Sequence, residues 1–229
     1  MAELYWALEW TLQQQGFDHC YDKRLYDRLR ALQAQPVRAH LQAGLEYQDK
    51  LARFLENHDE PRAAASFAPG PHAAAAVLTY CTPGLRFFQQ GQFEGCRVQV
   101  SPHLVRAPLE PVDADLAAFY ARLLALLRRP ALRDGAWSLL DCIEAWGGNP
   151  SGVQFIAWRW LLPGEPGVCV AVNYAPQQGQ CYVRLPWPEL AGRHWRLRDL
   201  LGAAVFDRPG DELLARGLYL DLPPWGHHV

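Results

Sequence analysis

Apolar runs and helical patterns alternate along the first part of the chain. Short apolar runs predict four strands, at 2–6, 17–21, 51–56 and 85–88. Longer stretches with apolar residues at helical spacing predict helices at 7–15, 23–32, 36–47, 72–80 and 114–129. Because strands and helices alternate, we expect an α/β arrangement in which the strands run parallel.

The pattern changes at 133–135, where Arg, Asp and Gly follow one another. The rest of the chain has short runs rich in β-branched and aromatic residues, separated by Gly, Pro and Asn. Six such runs predict strands at 137–142, 153–160, 168–174, 181–185, 194–200 and 218–222. Turn residues at this spacing are typical of an antiparallel β-sandwich. The sequence therefore predicts two domains, 1–132 and 133–229.

Composition excludes several classes of protein and adds no cofactor. The 229 residues carry a net charge of −2, and the basic residues form no patch, which argues against nucleic acid as a partner. No run of about 18 apolar residues predicts a membrane span. The six cysteines show neither a CxxC nor a metal-ligand spacing, so we expect reduced thiols, no metal and a cytoplasmic protein. The residues after Met1 do not predict a signal peptide, an expectation that concerns this start of the chain alone.

Ionisable and amide side chains crowd the stretch that follows the run at 51–56. Five of the six positions 57–62 carry such side chains: Asn57, His58, Asp59, Glu60 and Arg62. The sixth position, 61, is a proline, which stops any strand. A strand that ends in charged residues and leads into a helix is typical of the carboxyl face of a (β/α) barrel. A polar loop with an N-capping Asp is the alternative. The density of carboxylate, imidazole and amide groups favours a site for a polyhydroxylated substrate.

Several motifs resemble the α-amylase family, glycoside hydrolase family 13. Phe-Leu-Glu-Asn-His-Asp at 54–59 resembles the last short motif of that family, which ends barrel strand seven. The stretch 82–92 resembles the eighth strand and its loop, 2–6 resembles the fifth-strand motif, and 218–226 resembles the closing strand of the C-terminal domain. The resemblance implies strands five to eight of a (β/α)8 TIM barrel in 1–132, followed by the C-terminal β-sandwich in 133–229.

The resemblance also implies roles for two carboxylates. Asp59 corresponds to the Asp that hydrogen-bonds the sugar hydroxyls and stabilises the transition state. Glu3 corresponds to the Glu of the fifth strand, the acid/base catalyst, although a Glu near a terminus is ordinarily a solvated side chain. The separation of Glu3 and Asp59 fits two strand–helix units of about 30 residues each. Both carboxylates would then lie at the same end of the barrel.

Other positions are candidates for contact with the sugar. His58 and Asn57 accompany Asp59 in the motif and would help to hold the substrate. Tyr5 and Trp6 would form a stacking wall for a sugar ring, although packing between strand and helix explains them equally well. Two further stretches would line the cleft, 21–23 and the polar positions 90, 92 and 94; helix capping by the Asp at 22 and a surface loop are the alternatives. The two terminal histidines are assigned no role.

The chain departs from the family pattern in one respect that matters for catalysis. The family nucleophile is an Asp two positions after an Arg, and no Asp in this sequence follows an Arg at that spacing. Strands one to four have no counterpart. We therefore expect the C-terminal portion of a retaining α-glycosidase that acts on α-linked glucans, is inactive alone and needs a complementary N-terminal half-barrel. The alternative is a non-catalytic carbohydrate-binding or scaffold protein.

Overall fold

Parallel segments of the chain stand side by side in the order in which they occur in the sequence. In the computed structural model, which describes residues 1–4, 7–101, 103 and 106–229, strands β1 Cys20–Tyr21, β2 Leu51–Arg53 and β3 Leu85–Arg86 form a parallel sheet. Ala2 makes a further parallel bridge to Cys20. This confirms the predicted parallel order, although each strand is shorter than the apolar run that predicted it.

The protein mixes helix and sheet, and it divides into two units, Met1–Ala125 and Leu126–Val229. The helices are α1 Glu9–Gln14, α2 Lys23–Arg30, α3 Ala34–Leu41, α4 Leu45–Asp49, α5 Ala63–Ser66, α6 Pro69–Tyr80, α7 Ala114–Leu127, α8 Pro130–Asp134 and α9 Gly210–Arg216. The single helix predicted at 36–47 is wrong, because Gly44 takes an extended conformation and separates α3 from α4. The helix predicted at 114–129 is α7, and the carboxylate of Asp113 caps it by accepting the N–H of Leu116 at 3.0 Å. No described helix is long and apolar enough to cross a membrane.

Within the described residues, the parallel strands form an open sheet and no barrel is closed. The turn before β3 must pass close to the chain ahead of β2. At Gly84, with φ +111°, an added Cβ would lie 2.4 Å from the backbone oxygen of Leu51, so only glycine fits. This close approach sets β3 beside β2. The partial (β/α)8 barrel remains a prediction.

Aromatic side chains fill one side of this sheet. The rings of Tyr21 and Phe54 lie 5.2 Å apart, and that of Phe87 lies 5.6 Å from Tyr21. Tyr26 of α2 completes the group, 5.4 Å from Phe54. Tyr21, Phe54 and Tyr26 are buried, and Phe87 is partly buried against them. The residues at the carboxyl ends of β1 and β2 therefore pack into one aromatic cluster.

A buried ion pair lies at the centre of the first unit. Arg53, in β2, is fully buried and its guanidinium contacts the carboxylate of Asp22, which is 1% exposed. The imidazole of His40 lies 3.0 Å from the same carboxylate. The second carboxylate oxygen accepts the N–H of Leu25 at 3.1 Å and so caps α2. Asp22 therefore acts within the core, which supports the capping alternative over a place in the cleft.

Arg53 has further hydrogen-bond partners beside Asp22. Arg53 donates through Nε to the oxygen of Pro83 at 3.0 Å and contacts the side-chain oxygen of Gln48. Gln48, itself fully buried, donates to the oxygen of His40 at 3.0 Å. The network thus joins β2 to three helices and to the turn before β3. Burial opposes ionisation of Asp22, but the charges of Arg53 and His40 and the hydrogen bonds outweigh it and lower its pKa to about 2.

Antiparallel sheets make up the second unit. Its strands are β4 Ala136–Leu140, β5 Cys142–Glu144, β6 Phe155–Leu161, β7 Val168–Asn173, β8 Gly179–Val183, β9 His194–Arg198, β10 Val205–Pro209, β11 Leu218–Leu222 and β12 His227–His228. They form sheets in the orders β12-β7-β6-β4, β11-β8-β5 and β10-β9. All their pairings are antiparallel, as predicted. The run predicted at 137–142 is two strands, one in each of the first two sheets.

The two larger sheets share one buried apolar cluster. Its members from strands are Leu140, Phe155, Ala157, Ala171, Cys181, Val183, Leu220 and Leu222. A shared cluster of this kind is expected of a sandwich, which remains a prediction. The six cysteines are free thiols. The Nδ1 atom of His228 lies 2.7 Å from the carboxylate of Asp199, and this hydrogen bond links β12 to the residue that follows β9.

Candidate functional site

Three of the side chains singled out by the sequence meet at one point on the first unit. The Nε2 atom of His58 lies 3.8 Å from the Oε1 atom of Glu3 and 3.5 Å from the Oδ1 atom of Asp59. Their side chains are 43%, 39% and 47% exposed, so the cluster faces solvent. Glu3 follows the bridge at Ala2 and His58 follows β2, with β1 between these two segments. The predicted convergence of the two segment ends is therefore seen.

The side chain of Asn57 forms a turn that exposes His58 and Asp59. Asn57 is 1% exposed, and its Oδ1 atom accepts the backbone N–H of both Asp59 and Glu60 at 2.9 Å. Gln99 donates to the backbone oxygen of Asp59 at 2.9 Å from the other side. The interpretation of Asn57 as a sugar-binding group is thus not supported by its position. Its side chain holds the turn that turns His58 and Asp59 outward.

A second buried pair fixes the chain on the far side of the turn. Glu56 accepts the N–H of Ala63 at 2.7 Å, and its other oxygen lies 3.0 Å from a guanidinium nitrogen of Arg62. Arg62 also donates to the oxygen of Gln90 at 2.8 Å. Burial raises the pKa of Glu56 to about 7 in spite of the opposing hydrogen bond and the Arg62 charge. Both side chains are buried, so Glu56, at the end of the run 51–56, and Arg62, in the polar stretch after it, organise the backbone.

The charges of Glu3 and Asp59 also act on Tyr21, which the sequence placed in the cleft only as part of the stretch 21–23. Burial raises the pKa of its hydroxyl, and the charges of Glu3 and Asp59 raise it further. These two carboxylates therefore give the cluster a negative potential that reaches the ring. The signal in the sequence was the position of Tyr21 at the end of the apolar run 17–21.

The loop after β3 contributes less than predicted. Gln92 is 1% exposed and donates to the hydroxyls of Tyr80 at 2.8 Å and Tyr120 at 2.9 Å. The Tyr120 hydroxyl also lies 2.9 Å from Nε2 of His72, whose pKa is lowered to about 4 by burial. Gln92 thus joins the loop to two helices and does not line a cleft, whereas positions 90 and 94 are exposed. Tyr5 and Trp6, the predicted stacking wall, lie outside the described residues.

Removal of the Asn57 acceptor tests its positioning role. We expect Asn57→Ala to lower the free energy of unfolding by about 1–2 kcal/mol, because two N–H groups lose their acceptor. Asn57→Ser keeps a side-chain oxygen that closes the same kind of turn more weakly, so it should lose less. Urea unfolding of the three proteins provides the measurement. Equal stabilities would show that the turn does not depend on this side chain.

Comparison with solved structures identifies the fold. No family model and no curated protein matches the sequence. The noncanonic maltogenic α-amylase AmyB from Thermotoga neapolitana superposes with a TM-score of 0.69 at 15% identity, over 99% of this chain and 52% of that protein. An Anoxybacillus α-amylase gives 0.68 at 16% identity, over 99% and 50%. A cyclic α-maltosyl-(1→6)-maltose hydrolase from Arthrobacter globiformis gives 0.63 at 16%, over 99% and 47%.

These matches confirm the predicted resemblance to the α-amylase family at the level of the fold. Nearly the whole chain is covered in each case, and the chain spans about half the length of the structures that it matches. Both units therefore lie within the matched part of the chain. At 15–16% sequence identity, this structural similarity establishes the fold alone.

Proposed function

We propose that this chain supplies the acid/base catalyst and the transition-state-stabilising carboxylate of a retaining α-glycosidase that acts on α-linked glucans. The observation that carries the proposal is the meeting of Glu3, His58 and Asp59 at the ends of two parallel segments. The fold adds support, because the matched structures are α-amylases and related hydrolases. In this proposal the open sheet is half of a (β/α)8 barrel.

Each residue of the cluster has one task in this reaction. Glu3 protonates the glycosidic oxygen as the leaving group departs and then deprotonates the water that hydrolyses the intermediate. Asp59 accepts hydrogen bonds from sugar hydroxyls, which strengthen as positive charge develops at the anomeric carbon. His58, between the two carboxylates, donates to the same sugar. Asn57 positions His58 and Asp59 through the turn that its side chain holds.

The nucleophile has to come from outside this sequence. A retaining enzyme needs a second carboxylate about 5–5.5 Å from the acid, and the Arg-x-Asp pattern of the family is absent. We propose that a complementary N-terminal half-barrel provides it, either as a preceding segment or as a separate chain. That half would also cover the open edges of the parallel sheet.

A second function is also consistent with the absence of a nucleophile from this sequence. In a carbohydrate-binding or scaffold protein, Glu3, His58 and Asp59 would hold a glucan without cleaving it. A coding segment for Gly-x-Arg-x-Asp upstream of residue 1 favours the enzyme. Sugar binding by the chain with no such segment favours the binding protein.

Turnover assays test the proposed division of catalytic groups. The 229-residue chain should release no aryl group from an aryl α-maltoside, because no covalent intermediate forms without a nucleophile. Joined to an N-terminal half-barrel that carries Arg-x-Asp, it should turn over, and Glu3→Gln should abolish that activity. The exposed variant His194→Gln is the control and should remain active.

One result would contradict this division. Turnover by the chain alone that is lost in Glu3→Gln would place the nucleophile within these residues. Asp59 would be the first candidate, since its carboxylate lies within 4.8 Å of that of Glu3.

A further inference from the structure

A cleft of about 290 Å³ lies between helices α1, α2, α3 and α4 of the first unit. Alanines at positions 7, 39 and 43 form part of its wall, and their small side chains leave the space open. The volume is at the lower end of the range for small-molecule sites, which is about 300–1,000 Å³. We therefore expect a ligand of about the size of one sugar ring, and no longer glucan chain.

Two arginines line the cleft, and one of them has no acidic partner. Arg24 and Arg28 are four positions apart on α2, so their side chains lie on the same face of that helix. Arg24 pairs through its Nε atom with the buried carboxylate of Glu9, on α1, at 3.7 Å. Arg28 is partly buried, and within the part of the chain that the structure describes it makes neither an ion pair nor a hydrogen bond. Because two guanidinium groups face one carboxylate, the cleft favours an anion.

Aromatic side chains supply a second kind of contact. The indole of Trp10, on α1, is 49% exposed, and its ring lies 6.3 Å from that of Tyr47, on α4, at an angle of 54°. These rings offer a flat apolar surface to the ring of a ligand. Burial is the main cause that raises the pKa of the Tyr47 hydroxyl, to about 12, so at neutral pH this group keeps its proton and can donate it in a hydrogen bond.

The combination of charge, aromatic surface and size points to one class of ligand. The planar guanidinium group matches the oxygens of a phosphate and binds them through paired N–H donors. The aromatic surface suits the ring that carries the phosphate, and the Glu9 carboxylate is an acceptor for hydroxyl groups. An inorganic anion would use the arginines and leave Trp10 and Tyr47 without a role.

We propose that this cleft binds a phosphorylated monosaccharide, with the phosphate on Arg24 and Arg28 and the sugar ring against Trp10 and Tyr47. The proposal does not rest on the proposed glycosidase function, because the cleft shares no residue with the cluster of Glu3, His58 and Asp59. It adds a second, non-catalytic site to the first unit.

Calorimetric titration of the full-length chain with glucose 6-phosphate tests the proposal. Inorganic phosphate and glucose, titrated separately, represent the two parts of this ligand. We expect one molecule of glucose 6-phosphate per chain, bound at least about tenfold more tightly than either part, since both parts contribute to its binding.

Three variants separate the contacts. Arg28→Gln should weaken the binding of glucose 6-phosphate more than about tenfold, because a charge-assisted hydrogen bond is lost. Trp10→Ala should weaken the binding of glucose 6-phosphate and leave that of inorganic phosphate unchanged. Arg122→Gln, which makes the same change as Arg28→Gln on an exposed face of α7, is the matched control and should bind like the unaltered chain. Circular dichroism verifies that each variant is folded.

Each outcome supports or overturns the proposal. Binding of one molecule that is weakened in Arg28→Gln and kept in Arg122→Gln supports the site. Absence of saturable binding of glucose 6-phosphate, or binding that Arg28→Gln leaves unchanged, overturns it. Inorganic phosphate that binds as tightly as glucose 6-phosphate overturns the assignment to a sugar ring, and glucose that binds as tightly overturns the assignment to an anion. None of these results depends on glycoside turnover, so this proposal and the proposed function can fail independently.

Discussion

Asp22→Asn is expected to lower the free energy of unfolding by about 3–5 kcal/mol at pH 7, a large part of the stability of an ordinary domain. The substitution keeps the shape of the side chain and removes its charge. Arg53 is then left fully buried without a carboxylate, and His40 loses the same partner. Uncompensated burial of a charge is among the costliest single changes. Urea unfolding followed by tryptophan fluorescence gives the measurement.

The pH dependence of stability identifies this carboxylate. The pKa of Asp22 is lowered in the folded protein from 3.8 to about 2, so the folded state favours the charged form. Its contribution is complete above the unfolded pKa and is lost as the pH falls from about 4 towards 2. A shift of this size corresponds to about 2 kcal/mol. Asp22→Asn should make the stability profile less steep in this acid window and leave the contribution of Asp199, whose pKa is also lowered to about 2.

Asp27→Asn is the matched control for both measurements. Asp27 lies on the same helix, is 55% exposed and pairs with Lys23 at the surface. Surface pairs contribute little, so this variant should keep nearly the full stability and the acid dependence. An Asp22→Asn protein within about 1 kcal/mol of the unaltered one would show that the buried network is not what holds β2 to the helices.

Much of the candidate site could be predicted because its residues follow one another in a short stretch of the sequence. An apolar run followed by Asn57, His58 and Asp59 identifies a strand that ends in polar chemistry, and parallel strands place such ends together. Glu3 was predicted differently, from the resemblance of 2–6 to the fifth-strand motif of the α-amylase family and from its separation from Asp59 along the chain. The length of each strand could not be predicted in this way. Residues 54–56 are buried like those of β2, yet they are not part of the strand.

The partners of buried polar groups were beyond sequence reasoning, because they are fixed by tertiary packing. Arg53 sits in an apolar run, and nothing local shows that its carboxylate is Asp22 and its amide partner Gln48. Asn57 and Gln92 looked like ligands for a sugar because they are polar and near the motifs. Both side chains are buried. Asn57 accepts a backbone N–H of the turn, and Gln92 donates to two tyrosine hydroxyls.

In the second unit, alternation and turn residues predicted most strands within a few residues. The strand β10 was missed, because Val205–Pro209 includes charged residues and ends in Pro, a pattern that argues against a strand. It is a strand because it pairs with β9 along its whole length, Val205 with Arg198 through Pro209 with His194. A two-stranded ribbon with exposed faces needs no apolar alternation, so the period-two signal was absent.

Asp59→Asn should reduce kcat by about 10²–10³ in a form of the protein that is catalytically complete, with a smaller change in KM. The Asp59 carboxylate accepts from hydroxyls of the bound sugar, and these bonds tighten only as positive charge develops on the ring. An amide of the same shape keeps one acceptor and loses the charge. Steady-state kinetics with an aryl α-maltoside and with maltooligosaccharides separate the two constants.

The size of that effect discriminates among the roles open to Asp59. Loss confined to KM would mean that Asp59 only binds the ground state, and an unchanged rate would mean that the motif at 54–59 is not a sugar site. Asp27→Asn is again the control, because it makes the same chemical change on an exposed helix of the same unit. Asn57→Ala offers an internal comparison, since it disturbs the turn beneath Asp59 and leaves the carboxylate itself in place. If the carboxylate acts through charge in the transition state, Asp59→Asn must slow the reaction more than Asn57→Ala, although Asn57→Ala costs more stability.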